Sequence, residues 1–195
     1  MKHLLTMLTL VVVIAACSSS KEEQATEDHS MHQSSSANPE EGAKKHLSPR
    51  TMAMTNVGIN HVHIDYGSPS KRGRMIFGGL VGFGQVWATG AHHATNITFG
   101  EDVTINGTNV PAGKYGLFTI PGEKEWIIII SKDWDMHLAD DYTEANDVVR
   151  IQSLVTSLDE VVESLTFAIA DMGDGLGNVS IKWDQTSVSF DIQNK

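Results

Sequence analysis

Alternation with a period of two is the feature that most constrains this chain. His61-Val62-His63-Ile64-Asp65-Tyr66 switches between polar and apolar at every step, as do Val179-Ser180-Ile181-Lys182-Trp183 and Val188-Ser189-Phe190-Asp191-Ile192. Successive side chains of an extended strand leave opposite faces, so such segments set one face on a core and the other in water. Trp126-Ile127-Ile128-Ile129-Ile130 is apolar on both faces and is expected as a central strand, and Leu165-Thr166-Phe167-Ala168-Ile169 reads as another strand. Asn106-Gly107 after Val103-Thr104-Ile105 is a strong turn signal. Pro111-Ala112-Gly113 breaks the chain before Tyr115 to Ile120, and Asp184-Gln185 reads as a tight turn. Many short strands separated by Gly, Pro and Asn predict an all-β fold: one antiparallel, jelly-roll-like β-sandwich over residues 48–195. Val62, Ile64, Leu117, Ile128, Phe167, Ile181, Trp183 and Phe190 are its expected core. Residues 133–146 are expected as a longer polar crossover holding a helical turn.

The N-terminal segment has a different character. A weakly positive start, Lys2-His3, precedes an apolar run from Leu4 to Ile14 that is too short to span a bilayer, then Ile14-Ala15-Ala16-Cys17. Residues 1–16 therefore read as a signal peptide. The small pair leading into the chain's only cysteine resembles the lipobox of bacterial lipoproteins, which implies lipid on Cys17 and attachment of the mature protein to a membrane. Stable attachment takes more than one acyl chain, since each buried methylene contributes only about 0.8 kcal/mol. From Cys17 to Leu47 the composition is Ser, Glu, Gln, Lys and Ala with almost no large apolar residue, and it reads as a disordered linker. Within it, Ser20-Lys21-Glu22-Glu23 is similar to signals that send lipoproteins of the Bacteroidetes group to the cell surface; a generic charged linker is the other reading. The expected location is the outer membrane, with surface display as the further expectation.

Composition removes several classes of chemistry. With Cys17 consumed by lipid, the folded domain has no disulfide, thiolate ligand or thiol nucleophile. Asp and Glu (24) outnumber Lys and Arg (14), which argues against a nucleic-acid partner. The one basic cluster, Lys71-Arg72-Gly73-Arg74, reads as a solvated turn. Gly107 to Gly113-Lys114 has the wrong spacing for a phosphate-binding loop, and Tyr115 stands where Ser or Thr would hold Mg²⁺. Asp133-x-Asp135-x-His137 with Glu144 echoes a calcium loop but carries Leu138 where the sharp turn demands Gly. There is no Gly-x-Ser-x-Gly elbow and no His-Glu-x-x-His helix.

Ser48-Pro49-Arg50, the stretch from Gly67-Ser68-Pro69 to Gly73-Arg74, Trp87-Ala88-Thr89-Gly90-Ala91, and Pro111-Ala112-Gly113-Lys114-Tyr115 with Phe118-Thr119-Ile120-Pro121 occur in order along nearly the whole domain. Together they resemble the bacterial family called domain of unknown function 2911. The resemblance implies a secreted or lipid-anchored β-domain. In that family Arg tends to follow the Trp and an Asn-acidic pair tends to follow Gly-Ala, whereas this chain has Ala88, His92 and His93.

The residues best suited to chemistry are histidines. His61 and His63 are two apart in a strand, so both imidazoles leave one face with Asp65 next along it, and that spacing allows one ion to be chelated. His92-His93 adds imidazoles from a Gly-flanked segment, of which an extended backbone turns only one to a given side. His137 lies in the polar crossover. Neutral imidazole suits Zn, Cu and Ni, and a cysteine-free site needs three or four ligands with carboxylate or water filling in. His61 and His63 with one of His92 or His93 are therefore expected to form one cluster binding Cu(II) or Zn(II), the other reading being solvated histidines on a polar face. His29-Ser30-Met31-His32 in the linker, and Met52-Ala53-Met54 ahead of the first expected strand, add a soft thioether and imidazole set that suits Cu(I). Among the tryptophans Trp87, Trp126 and Trp183 are expected in the core and Trp134 at the surface. Three classes of function follow. One is a binding module, for metal or for a glycan or peptide. The second is an accessory subunit of an envelope assembly, and the third is a hydrolase, for which no carboxylate pair can be placed.

Overall fold

The computed structural model describes residues 47–195; the expected signal peptide and linker, with Cys17 and the His29–His32 tract, lie outside the described residues. Among these the chain forms ten strands: β1 (Arg50–Val57), β2 (Asn60–Gly67), β3 (Asn96–Phe99), β4 (Val103–Ile105), β5 (Thr108–Val110), β6 (Gly113–Ile120), β7 (Glu125–Ser131), β8 (Asp147–Leu154), β9 (Thr156–Gly173) and β10 (Leu176–Asn194). A six-stranded antiparallel sheet runs β1-β2-β3-β6-β7-β8, and a four-stranded one runs β5-β4-β10-β9. The fold is the all-β sandwich that the alternation predicts.

The main core lies between the sheets. All eight expected core residues are buried, together with Trp126, Ile97, Phe99 and Ile192. An aromatic cluster anchors it: Trp87 stacks on Trp183 at 5.9 Å, and Phe77 meets Trp126 edge-on at 4.8 Å. Tyr66 of β2 contacts Phe167 of β9 at 4.6 Å, joining the two sheets. β7 explains its apolarity on both faces. Trp126, Ile128 and Ile130 point into the main core, whereas Ile129 joins Phe118, Ala88, Ala94 and Met136 in a second, smaller core on the opposite side of the long sheet. This second core is roofed by the segments 86–95 and 133–142.

Local turn chemistry behaves as read at Asn106-Gly107, where both residues take positive φ (48° and 77°) between β4 and β5, as a two-residue hairpin of this kind demands. The expected turn at Asp184-Gln185 is corrected. β10 passes through it as one strand with register shifts on both sides of Asp184, whose φ is 55°. The extra residue is absorbed as a bulge, and Lys71 pairs with the Asp184 carboxylate at the kink. The segments expected as separate strands at 179–183 and 188–192 are thus two parts of one. Met52-Ala53-Met54 is also corrected: it lies within the first strand, β1, instead of ahead of it. Residues 133–146 hold a short 3-10 turn at Glu144–Asn146. Lys71-Arg72-Gly73-Arg74 is a turn, with Arg72 and Gly73 at positive φ and the Arg72 amide donating to Glu163.

Candidate functional site

Strand periodicity alone decides what the outer face of β2 carries. Val62, Ile64 and Tyr66 are buried, so His61, His63 and Asp65 all point away from the main core; His61 is exposed and the other two are half-buried. The antiparallel register then sets their neighbours. Asn56 lies opposite His61, Met54 opposite His63 and Met52 opposite Asp65 on β1. On the other side Thr98 of β3 lies opposite His63, and Lys114 of β6 opposite Thr98. Lys114 Nζ sits 4.1 Å from the ring centroid of Trp134, which is 38 % exposed and bounds this face.

The two imidazoles differ in their surroundings. His61 Nδ1 lies 2.9 Å from Asn56 Oδ1. With the amide oxygen as acceptor, Nδ1–H donates and the Nε2 lone pair is left free, which is how a metal-binding imidazole is commonly oriented by a neighbour. His63 Nε2 is buried and makes no hydrogen bond within the protein. A desolvated polar atom without a partner is unfavourable unless something else engages it. Asp65 is not a free carboxylate. Arg50 Nε donates to its Oδ1 at 2.6 Å and Arg50 Nη2 to its backbone carbonyl at 3.1 Å.

His92 and His93 do not join this pair. Gly67 brings their segment alongside the far end of β2, where a Cβ on Gly67 would lie 2.3 Å from the Ala91 carbonyl oxygen. Arg50 clamps the same segment by donating to the carbonyls of His93 and Ala94. That contact lies four residues beyond His63, roughly 13 Å at strand rise. His93 instead forms an antiparallel bridge with His137, whose Nδ1 is 2.9 Å from Asp140 Oδ2. His92 takes φ 67° and accepts a backbone bond from Leu138. Among the described residues no group of three or more His, Cys, Asp or Glu side chains could hold a metal ion, so the three-imidazole cluster expected from sequence does not assemble. The reason is positional: the 90–95 segment packs against Gly67, beyond the histidine rows.

Three features escaped the sequence reading. Asn56 as orienter of His61 and His137 as partner of His93 both depend on pairings that no local pattern encodes. The third is Asp147, half-buried beside a hollow of about 360 Å³ lined also by Asn106, Thr108, Glu144 and Arg150. Burial pushes its carboxyl above the ordinary range, opposed by hydrogen bonds from Tyr142 and Arg150 to Oδ2, while Oδ1 makes none. Burial and the bond to Asp147 likewise push the Tyr142 phenol up.

Several segments that carry the family resemblance have structural work. Arg50 ties β2 to the 93–94 segment, Trp87 Nε1 donates to the Gly90 carbonyl, and the buried Thr89 and Thr119 hydroxyls bond at 3.1 Å. The family described as Protein of unknown function (DUF2911) matches residues 48–192. No curated protein and no solved structure matches the chain.

Proposed function

The chain belongs to the DUF2911 family, and from that premise we propose that its mature form is a lipid-anchored cell-envelope domain that binds a transition metal, copper or zinc, through His61 and His63. The observation that carries this reading is the contrast between the two rings: one has its Nδ1 engaged by Asn56, and the other has a buried Nε2 with no protein partner. Both features suit a lone pair offered to a cation. Anchoring is supported by the lipobox-like Ala15-Ala16-Cys17, and display at the outer-membrane surface by Ser20-Lys21-Glu22-Glu23 just after it.

The test is a chelator-competition titration, with Zn(II) and with Cu(II), of the detergent-solubilised full-length chain carrying His29→Ala, Met31→Leu and His32→Ala. One equivalent is expected to bind, to be released on acidification because only the neutral ring is a ligand, and to be lost in His61→Ala and in His63→Ala. Unaltered binding in both variants ends the reading. Cys17→Ala is expected to release the domain from the membrane fraction, and persistent attachment would end the anchoring half.

A second reading, recognition of an envelope glycan or peptide by an accessory domain, is favoured by Trp134 beside an open hollow of about 310 Å³ lined by Lys132, Asp133, Asp135, Met136 and Asp141. Lys114 lies over that ring, and the residue remains partly open to solvent. Trp134→Ala should abolish retention on cell-wall material if this reading holds and leave it unchanged if it does not.

A further inference from the structure

Met52 and Met54 are 55 % and 52 % exposed, although the residues between and around them on β1 turn toward the core. Two thioethers are thus held outward on an edge strand. The register sets Met54 directly across from His63, and Met52 is the diagonal neighbour of that pair. Directly opposed residues have Cβ atoms about 4.5–5.5 Å apart and diagonal ones about 7–8 Å, within reach of side chains as long and flexible as methionine. His61 stands two residues along β2 from His63 on the same face.

The donor set on this face is therefore two imidazoles and two thioethers. The nearest carboxylate, Asp65, is occupied by Arg50, and no third His, Cys, Asp or Glu completes a group among the described residues. Zn(II) ordinarily takes three or four nitrogen, oxygen or thiolate ligands, and would have to complete its shell here with water. Thioether and imidazole together form a soft set that favours Cu(I). We propose that Met52 and Met54 complete the His61–His63 site as a Cu(I) site, with His63 Nε2 and Met54 Sδ as its centre. This rests on the metal-binding reading of the two histidines and narrows it to a monovalent soft cation.

The experiment uses the full-length chain in detergent with His29→Ala, Met31→Leu and His32→Ala, so that the linker's own His-Met tract cannot report. Cu(I) is titrated anaerobically against bicinchoninate, and Zn(II) and Cu(II) against their own chelators. The double variant Met52→Leu/Met54→Leu keeps volume and apolarity at two outward positions, so an unchanged thermal melt is the check on folding. Its Cu(I) affinity is expected to fall by at least about tenfold while Zn(II) and Cu(II) affinities hold within about twofold, because only the soft ion gains from thioether. X-ray absorption of the Cu(I) form should show sulfur scatterers that the double variant lacks. Equal Cu(I) affinity in parent and double variant, or a spectrum without sulfur, overturns the proposal. The histidine reading survives that result if Zn(II) or Cu(II) binding still depends on His61 and His63. If the parent binds none of the three ions, the reading and the proposal fall together.

Discussion

Replacing His63 by leucine should make the metal-free protein more stable. His63 Nε2 is buried without a hydrogen bond, and leaving a buried donor or acceptor unsatisfied costs about 1–3 kcal/mol. The residue as a whole is only half-buried, so the lower part of that range applies, about 1–2 kcal/mol. Leucine removes the orphaned nitrogen and still fits a strand flanked by Met54 and Thr98. A domain of this size shifts by roughly 2–4 °C per kcal/mol, so thermal melting by circular dichroism in EDTA should rise by about 2–8 °C. The order should invert with metal. At about one hundred times the dissociation constant, a ligand that binds only the native state stabilises by about 2.7 kcal/mol, which lifts the parent above a variant that no longer binds. Two results refute the reasoning: a variant less stable than the parent in EDTA, which means that Nε2 is satisfied by solvent, or a rank order that metal leaves unchanged.

Three further outcomes are expected. Gly67→Ala drives a Cβ to within 2.3 Å of the Ala91 carbonyl oxygen, a clash with backbone that cannot rotate away; it should destabilise by about 1–3 kcal/mol and raise hydrogen exchange across residues 90–95. Trp183→Ala removes a fully buried ring that stacks on Trp87 and donates to the Glu163 carbonyl, so urea denaturation should report a loss of about 3–5 kcal/mol. The third concerns pH. The Tyr142 phenol is held above its ordinary value, chiefly by burial and then by the bond to Asp147, so the native state keeps its proton where the unfolded chain has lost it. That contribution is complete below the unfolded value of 10.0 and is lost as pH rises past it. Denaturation midpoints should therefore fall as pH rises above about 10, and Tyr142→Phe should flatten that limb. A slope equal to the parent's would show that Tyr142 is not its source.

What could be read from the chain alone was whatever depends on neighbours in sequence. Side-chain facing along a strand is such a property, so the alternation at 61–66 and 179–183 placed Val62, Ile64, Ile181 and Trp183 inside and His61 and His63 outside without any knowledge of the partners. Asn106-Gly107 was legible for the same reason, since positive φ at both positions belongs to the dipeptide itself. Asp184 was misread because a bulge and a turn share one local sign, a residue of left-handed conformation between two strand segments. Only the pairing of distant strands, with Lys71 brought against the kink, decides which of them forms. The candidate site divides along the same line. That His61 and His63 share a face is local; that Met54 and Asn56 stand opposite them, that Arg50 withdraws Asp65, and that His93 meets His137 are consequences of register and of segment 90–95 seating against Gly67. Burial of Asp147 is of this kind too, because desolvation of a carboxyl comes from elements packed around it and leaves no trace in its own stretch of sequence.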